Sequence, residues 1–196
     1  WAHFRRYYTT TSPLTFPAPP RTVVIGLLGA ILGIEKIENP SLFGPDKCRI
    51  AVSIVSPVRT FRLKENWRQG ASGPEAFATA RVPVELIRDP RYRIFVQHSD
   101  NDLLLKLKEY VEKDESHFTP SLGITECLAE VSFVDWVMQK DFKKGSLGPV
   151  ACASIVSRSF ADPNLRAMEG QTYHLVEHIF PYLGTMDRQF IHHRVL

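Results

Sequence analysis

The chain has 196 residues, of which 44% are hydrophobic and 23% are charged, and this composition excludes an intrinsically disordered chain. Its formal net charge is only +3, but the first 70 residues carry ten Lys and Arg against four Asp and Glu, whereas the rest carry fourteen against seventeen. The basic excess therefore lies in the N-terminal third, where a polyanionic partner is expected to bind, although an uneven solvated surface would give the same charge pattern.

The first predicted helix begins near Arg21 and Thr22, because Pro19 and Pro20 suit the first turn of a helix but not its interior. Its free N–H groups would then face outward and attract phosphate. The apolar run that follows ends at Ile34 and is shorter than the roughly 20 residues that a membrane span needs. A GxxxG pattern within it predicts close helix packing, so we expect no membrane partner.

Two stretches, Lys47 to Val55 and Tyr92 to His98, alternate apolar and polar residues in the manner of half-buried strands. Between them, residues 58–81 are basic and rich in hydroxyl groups and glycine, which predicts a hairpin or a mobile excursion. Ser99 is the expected N-cap of a second helix that ends near Lys113.

A third strand is predicted around Glu130 to Met138. If a further strand covers or precedes Trp1 to Phe4, the element order becomes the βαββαβ plan of a ferredoxin-like (RRM-like) α+β fold. We therefore predict an α+β domain over residues 1–142, with the hairpin at about 58–81 inserted into it. A polar break then leads into a small β-rich unit over residues 143–196.

No recognisable metal or cofactor motif is present. The cysteines are widely spaced and form no CxxC pair, which indicates neither a disulfide framework nor a zinc knuckle. His174, Glu177 and His178 spell the HxxEH pattern of inverted zinc peptidases, but Asp187 is the only acid that follows, and Pro181 interrupts a helix there. We predict no metal, no cofactor and a reducing, cytoplasmic setting.

Directly upstream of the first helix, residues 3–8 read HFRRYY and combine cations with aromatic rings. Such residues hold a single RNA strand, because cations bind phosphates and rings stack on unstacked bases. The hydroxyl-bearing residues 9–12 can contact phosphate or 2′-OH groups. Alternatively, the two tyrosines are core aromatics of a first strand.

The sequence from Trp1 to Ile34 resembles the N-terminal signature of CRISPR-associated Cas family five, in the repeat-associated RNA-binding superfamily (RAMP). It reads WAHFRRYYTTTSPLTFPAPPRTVVIGLLGAILGI. PVELIRDPRYRIFVQHSD and HFTPSLGITE also resemble that family, especially its subtype I-B branch, so the similarity runs at intervals to about residue 138. It implies a subunit of Cascade, the crRNA-guided surveillance complex of antiviral defence. Such a subunit caps the 5′ handle of crRNA and contacts the large and backbone subunits, while target DNA is read by guide pairing.

The resemblance carries two groups of RNA-binding residues over to this sequence. The first is the N-terminal loop and helix junction, with His3, Arg5, Arg6, Tyr7, Tyr8, Thr9, Thr10, Thr11, Arg21 and Thr22. The second is a thumb hairpin that presses between guide bases, with Arg59, Arg62, Lys64, Trp67 and Arg68. For the second group, an exposed loop with scattered charge is the alternative.

The resemblance also raises the question of catalysis. The related subtype I-C branch cuts precursor crRNA without metal, using tyrosine, lysine and histidine side chains. His3, His117 and Lys113 offer a base and a cation here but match no motif of that branch. We expect a non-catalytic subunit, with a metal-independent endoribonuclease as one alternative and a structural adaptor that meets an acidic subunit as the other.

Overall fold

The computed structural model describes residues 1–6, 9, 12–68, 79–138 and 154–156, together with the backbone of two C-terminal strands. The strands among these residues pair in antiparallel fashion, β1 with β4, β2 with β3 and β5 with β6, so the predicted α+β class is confirmed. Among the described residues, no helix has the length and apolar character to cross a membrane. The elements are α1 (Arg21–Leu32), α2 (Asn39–Leu42), β1 (Cys48–Ile54), β2 (Arg59–Arg68), β3 (Thr79–Arg88), β4 (Tyr92–His98), α3 (Asn101–Glu112), β5 (Val176–Tyr182) and β6 (Gln189–Val195).

The larger core lies between the β1–β4 sheet and helices α1 and α3. Val52 is opposite Ile94, and Ala51 is opposite Phe95. Because side chains alternate across a strand, the first pair faces the helices and the second faces outward. Both strands were predicted from this alternation, and both are confirmed. The fully buried members of the core are Val24, Ile25, Leu28, Leu32, Phe43, Cys48 and Val52.

Two glycines determine how α1 packs and where it ends. A Cβ atom at Gly29 would overlap the side chain of Asn39 on α2, 2.7 Å from its amide nitrogen, whereas Gly26 has nothing within 4 Å. Gly33 has a φ of 74°, a left-handed conformation that glycine adopts readily, and its N–H donates to the carbonyl of Gly29. Close packing of the GxxxG is confirmed at Gly29, while Gly33 caps the helix.

The described residues of the N-terminal segment, 1–6, 9 and 12–16, lie along the edge of β3 that β2 leaves free. Ala2 and Ile87 exchange backbone hydrogen bonds of 3.1 and 2.8 Å, and the N–H of Glu85 donates to the carbonyl of Pro13 at 3.0 Å. The predicted strand near Trp1 to Phe4 is thus a single bridge to β3. The β2–β3 hairpin extends beyond the predicted range of residues 58–81, because β3 continues to Arg88.

A buried threonine holds this segment folded back on itself. Thr15 is 2% exposed, and its Oγ1 accepts from the N–H of Phe4 at 2.9 Å and donates to the carbonyl of Phe16 at 3.0 Å. The hydroxyl of Tyr92 donates to the carbonyl of Pro17 at 2.7 Å and ties the following turn to β4. Buried backbone groups are thereby paired by side chains where no regular strand pairs them.

The prediction of a third strand over residues 130–138 is wrong. These residues form no strand, and Phe133 and Trp136 lie against α3, with their ring centroids 5.6 and 5.7 Å from the ammonium nitrogen of Lys108. Where the sequence predicted a strand, these two rings lie against the surface of a helix.

The predicted N-cap of α3 is wrong by one residue. Asp100 takes the place expected for Ser99, and its Oδ1 accepts from the N–H groups of Asp102 and Leu103 at 2.9 and 3.2 Å. The helix ends at Glu112, with Lys113 as its C-cap, where the sequence predicted its end.

The C-terminal strands β5 and β6 pair with His178 opposite His193. Glu177 and His178 of the HxxEH pattern therefore lie in a strand, whereas zinc peptidases of this kind need a helix.

The N–H of Ile155 donates to the carbonyl of Val52 on β1 at 2.7 Å. The predicted division at residues 142 and 143 lies outside the described residues.

Candidate nucleic-acid interface

The hairpin formed by β2 and β3 collects cations on one side. Its register sets Lys64 opposite Pro83 and Asn66 opposite Arg81, and directly opposite residues share a face. Arg62, two residues before Lys64, is on the same side. We call Arg62, Lys64 and Arg81 the basic face. All three are exposed, and none forms an ion pair with the described residues.

One carboxylate of β2 and β3 lies on this side of the hairpin. Glu85 is opposite Arg62, and its Oε2 accepts from the backbone N–H of Thr15 at 3.0 Å. This bond ties the acid to the N-terminal segment. The position of Arg68, opposite Thr79, falls on the same side by strand alternation.

The other side of the hairpin is apolar near its base and carries an exposed ring near its tip. Phe61 and Leu86 pack there against buried Cys127. Trp67 is 41% exposed, and its indole N–H donates to Oε2 of Glu65 at 2.9 Å. Arg59 shares this side. The structure therefore separates the predicted stacking ring from the predicted cations of the basic face.

The N-terminal segment presents one exposed arginine and one that supports its own fold. Arg5 is exposed, and its guanidinium donates to the carbonyl of Thr9 at 3.0 Å. Arg6 is half-buried, donates from Nε to the carbonyl of Thr15 at 3.0 Å, and lies 5.6 Å from the ring centroid of Phe16. The hydroxyl of Thr9 donates to the carbonyl of Arg6 at 2.8 Å. Outside the described residues lie Tyr7, Tyr8, Thr10 and Thr11, whose RNA contacts stay predictions.

Two of the predicted RNA-binding side chains turn into the protein. His3 is 3% exposed, with its Nδ1 2.7 Å from the carbonyl oxygen of Glu85. The guanidinium of Arg21 donates to the carbonyls of Phe43 and Cys48 at 2.8 and 2.6 Å. Burial lowers the pKa of Arg21 and raises the pKa of the Cys48 thiol. Both side chains already lie within hydrogen-bond distance of backbone carbonyls in the protein, and their RNA contacts stay predictions.

The start of α1 is enclosed by its neighbours. Ala18, Pro19 and Pro20 are all buried, and Pro20 is the N-cap. The predicted start at Arg21 is confirmed, and phosphate binding at this helix end stays a prediction. Thr22 is half-buried in the first turn, and its RNA contact stays a prediction.

The N-terminal segment and the basic face form one continuous surface. The hydroxyl of Ser12 donates at 3.2 Å to the carbonyl of Pro83, the residue directly opposite Lys64. The Thr15 bond to Glu85 makes a second connection, opposite Arg62. A polyanionic strand that follows this surface would meet exposed cations on both elements.

The two histidines considered for catalysis lie on different elements. His3 is buried beside β3, as described above. His117 is exposed, and its ring packs edge to face on that of Phe118 with the centroids 4.7 Å apart. The backbone N–H of His117 donates to the carbonyl of Ile31 at the end of α1. Within the described residues, the structure does not bring the two rings together.

Comparison with models of protein families found no match, and neither did comparison with curated proteins. Among solved structures, the chain is similar to a chain of a CRISPR RNA-guided surveillance complex, with a TM-score of 0.60 and 11% sequence identity. The match covers 99% of this chain and 83% of the other. At this level of identity the likeness concerns the fold.

Proposed function

We propose that this chain is a crRNA-binding subunit of a type I CRISPR surveillance complex, of Cas family five and closest to subtype I-B. The N-terminal segment and the basic face hold the 5′ handle of the guide, and the hairpin is the thumb that orders the adjacent guide bases. Two observations support this proposal, the surface that these elements share and the fold neighbour in an RNA-guided complex.

The observation that carries the proposal is the joining of the N-terminal segment to β3. Ala2, Pro13 and Ser12 bond to every second position along that strand, Ile87, Glu85 and Pro83, so the segment that carries Arg5 is joined to the strand that carries Arg81. Cations whose backbone is held by one hydrogen-bonded unit lose less conformational freedom on binding RNA than cations on separate loops would lose. Exposed arginine and lysine side chains that form no intramolecular ion pair can bind the phosphates of a single strand without first breaking such a pair.

The same proposal extends to fold and assembly. A ferredoxin-like core supplies α1, β1, β4 and α3, with β2 and β3 inserted between its two middle strands. The partners are crRNA, the backbone subunits and the large subunit, with target DNA reached through guide pairing in the cytoplasm.

We propose that the chain is not itself a nuclease. The ring nitrogen of His3 that faces the protein is already within hydrogen-bond distance of a carbonyl, and this histidine is too buried to reach a 2′-OH group. Incubation with labelled repeat RNA in EDTA tests the alternative of a metal-independent endoribonuclease. Specific cleavage that is lost in His117→Ala would contradict the proposal.

Site-specific crosslinking tests the binding mode. The intact chain is mixed with crRNA that carries 4-thiouridine at single positions from the 5′ end to the 3′ end. We expect crosslinks from handle positions to peptides of residues 1–16 and 59–88, and few from distal positions. Equal crosslinking along the whole RNA would refute handle binding, and complete RNA-free assembly with the other subunits would favour the structural adaptor.

A further inference from the structure

The outer face of the β1–β4 sheet is open and carries no acidic residue. Strand alternation turns every second residue of β1 and β4 away from the core that α1 and α3 cover. The six outward positions are Arg49, Ala51, Ser53, Arg93, Phe95 and Gln97.

An aromatic ring stands at the centre of this face. Phe95 is 45% exposed, although it lies in the middle of a regular strand. The residue directly opposite is Ala51, whose methyl group is too small to cover the ring. Nearly half of the ring surface is therefore available to a ligand, and binding that covers it would be favourable.

Two arginines flank the ring. Arg93 is two residues from Phe95 on the same strand, at about 7 Å, and Arg49 is opposite Gln97 on the neighbouring strand. Both arginines are exposed, and neither forms an ion pair with the part of the chain that the structure describes. A ring between free cations on a two-stranded sheet has the chemistry that binds an unstacked base and its adjacent phosphates.

We infer that this face is a second binding surface for single-stranded nucleic acid, with Phe95 stacking on one base and with Arg49 and Arg93 binding phosphates. It is formed by different strands from the basic face, and it does not depend on recognition of a 5′ handle. Charge favours this ligand over a protein strand, because two cations with no acid select a polyanion.

The test uses the intact chain and fluorescent oligouridylate and oligodeoxythymidylate decamers, which contain no handle sequence. Phe95→Leu keeps an apolar side chain but removes the stacking face, so we expect the dissociation constant to rise by about fivefold to a hundredfold. Phe95→Tyr keeps a ring and should stay within about twofold of the wild type. Phe118→Leu is the matched control, because Phe118 is 47% exposed elsewhere and its loss should leave affinity unchanged.

The charge contribution is tested by replacing Arg49 and Arg93 with glutamine. The slope of log affinity against log salt should flatten by about 0.7 for each cation removed. A loss confined to the RNA decamer would identify guide RNA as the natural ligand, and an equal loss on both decamers would identify a sugar-independent platform that also accepts a displaced DNA strand. The inference is overturned if Phe95→Leu binds both decamers as Phe118→Leu does, or if it disrupts only RNA-free assembly with partner subunits.

Discussion

Neutralising the basic face is the most direct test of handle binding. The variant replaces Arg62, Lys64 and Arg81 with glutamine, which keeps side-chain length and hydrogen-bonding groups while it removes three charges. All three side chains are exposed on one side of the β2–β3 hairpin, so the substitutions remove no buried hydrophobic group. Surface changes of this kind alter stability by no more than about 0.5 kcal/mol.

The size of the effect follows from the number of phosphates that these cations neutralise. Each phosphate neutralised on a single strand contributes about 0.7 to the slope of log affinity against log salt, so removal of three cations should flatten the slope by about 2. Between 50 and 200 mM salt, the affinity of the wild type should therefore fall about twentyfold more than that of the variant. Fluorescence anisotropy with a labelled handle oligonucleotide at four salt concentrations measures both slopes.

The matched control replaces three exposed lysines outside the hairpin, Lys36, Lys47 and Lys106, with glutamine. It changes the net charge by the same amount, so it reports any general electrostatic attraction to RNA. We expect its slope to equal that of the wild type. If the two triple variants flatten the slope equally, attraction to RNA is diffuse, and the reasoning that places the handle on the basic face is refuted.

The remaining predictions concern the framework that holds this surface, and chemical denaturation measures each of them. Thr15→Val leaves a buried backbone N–H unpaired and should cost about 1–3 kcal/mol of unfolding free energy, so an unchanged midpoint would contradict the geometry. Gly29→Ala should destabilise the protein by about 1–3 kcal/mol because a Cβ overlaps the facing amide, whereas Gly26→Ala should be neutral or stabilising; the reverse order would show that the helix packs otherwise. Burial raises the pKa of Tyr92 above its ordinary value of 10.0. The contribution of the neutral Tyr92 hydroxyl to stability is therefore complete below pH 10.0 and is lost as the pH rises further. Tyr92→Phe should reduce the loss of unfolding free energy at alkaline pH.

Local patterns in the sequence predicted the regular elements well. Alternation placed β1 and β4 to within a residue or two, because each strand has one face on the core and one in water. The hairpin was predicted too short, since Pro83 lacks an N–H group and proline is rarely found inside a strand. Pro83 nevertheless lies within β3, and its carbonyl accepts a hydrogen bond from the hydroxyl of Ser12 in the N-terminal segment.

The arrangements that the sequence did not predict depend on contacts between residues that are distant in sequence. His3 and Arg21 look like free ligands beside a basic loop, but their partners are Glu85, 82 residues away, and Phe43 and Cys48, 22 and 27 residues away. No local periodicity reports such pairs. Strand alternation separates odd from even positions once the hairpin forms, so Trp67 shares a side with Arg59 but not with Arg62 and Lys64. The same alternation, with the register known, would have added Arg81 to the basic face.

The pairing of Ala2 with Ile87 has a consequence for the order of events during synthesis. Residues around Ala2 find their partners only when a segment some eighty positions later has left the ribosome. Until then the N-terminal segment has no strand to pair with, and closing so long a loop is slow compared with forming α1 or a hairpin. Under the proposed function, the surface for the guide is therefore completed late, so a nascent chain cannot capture crRNA before most of this region has been translated.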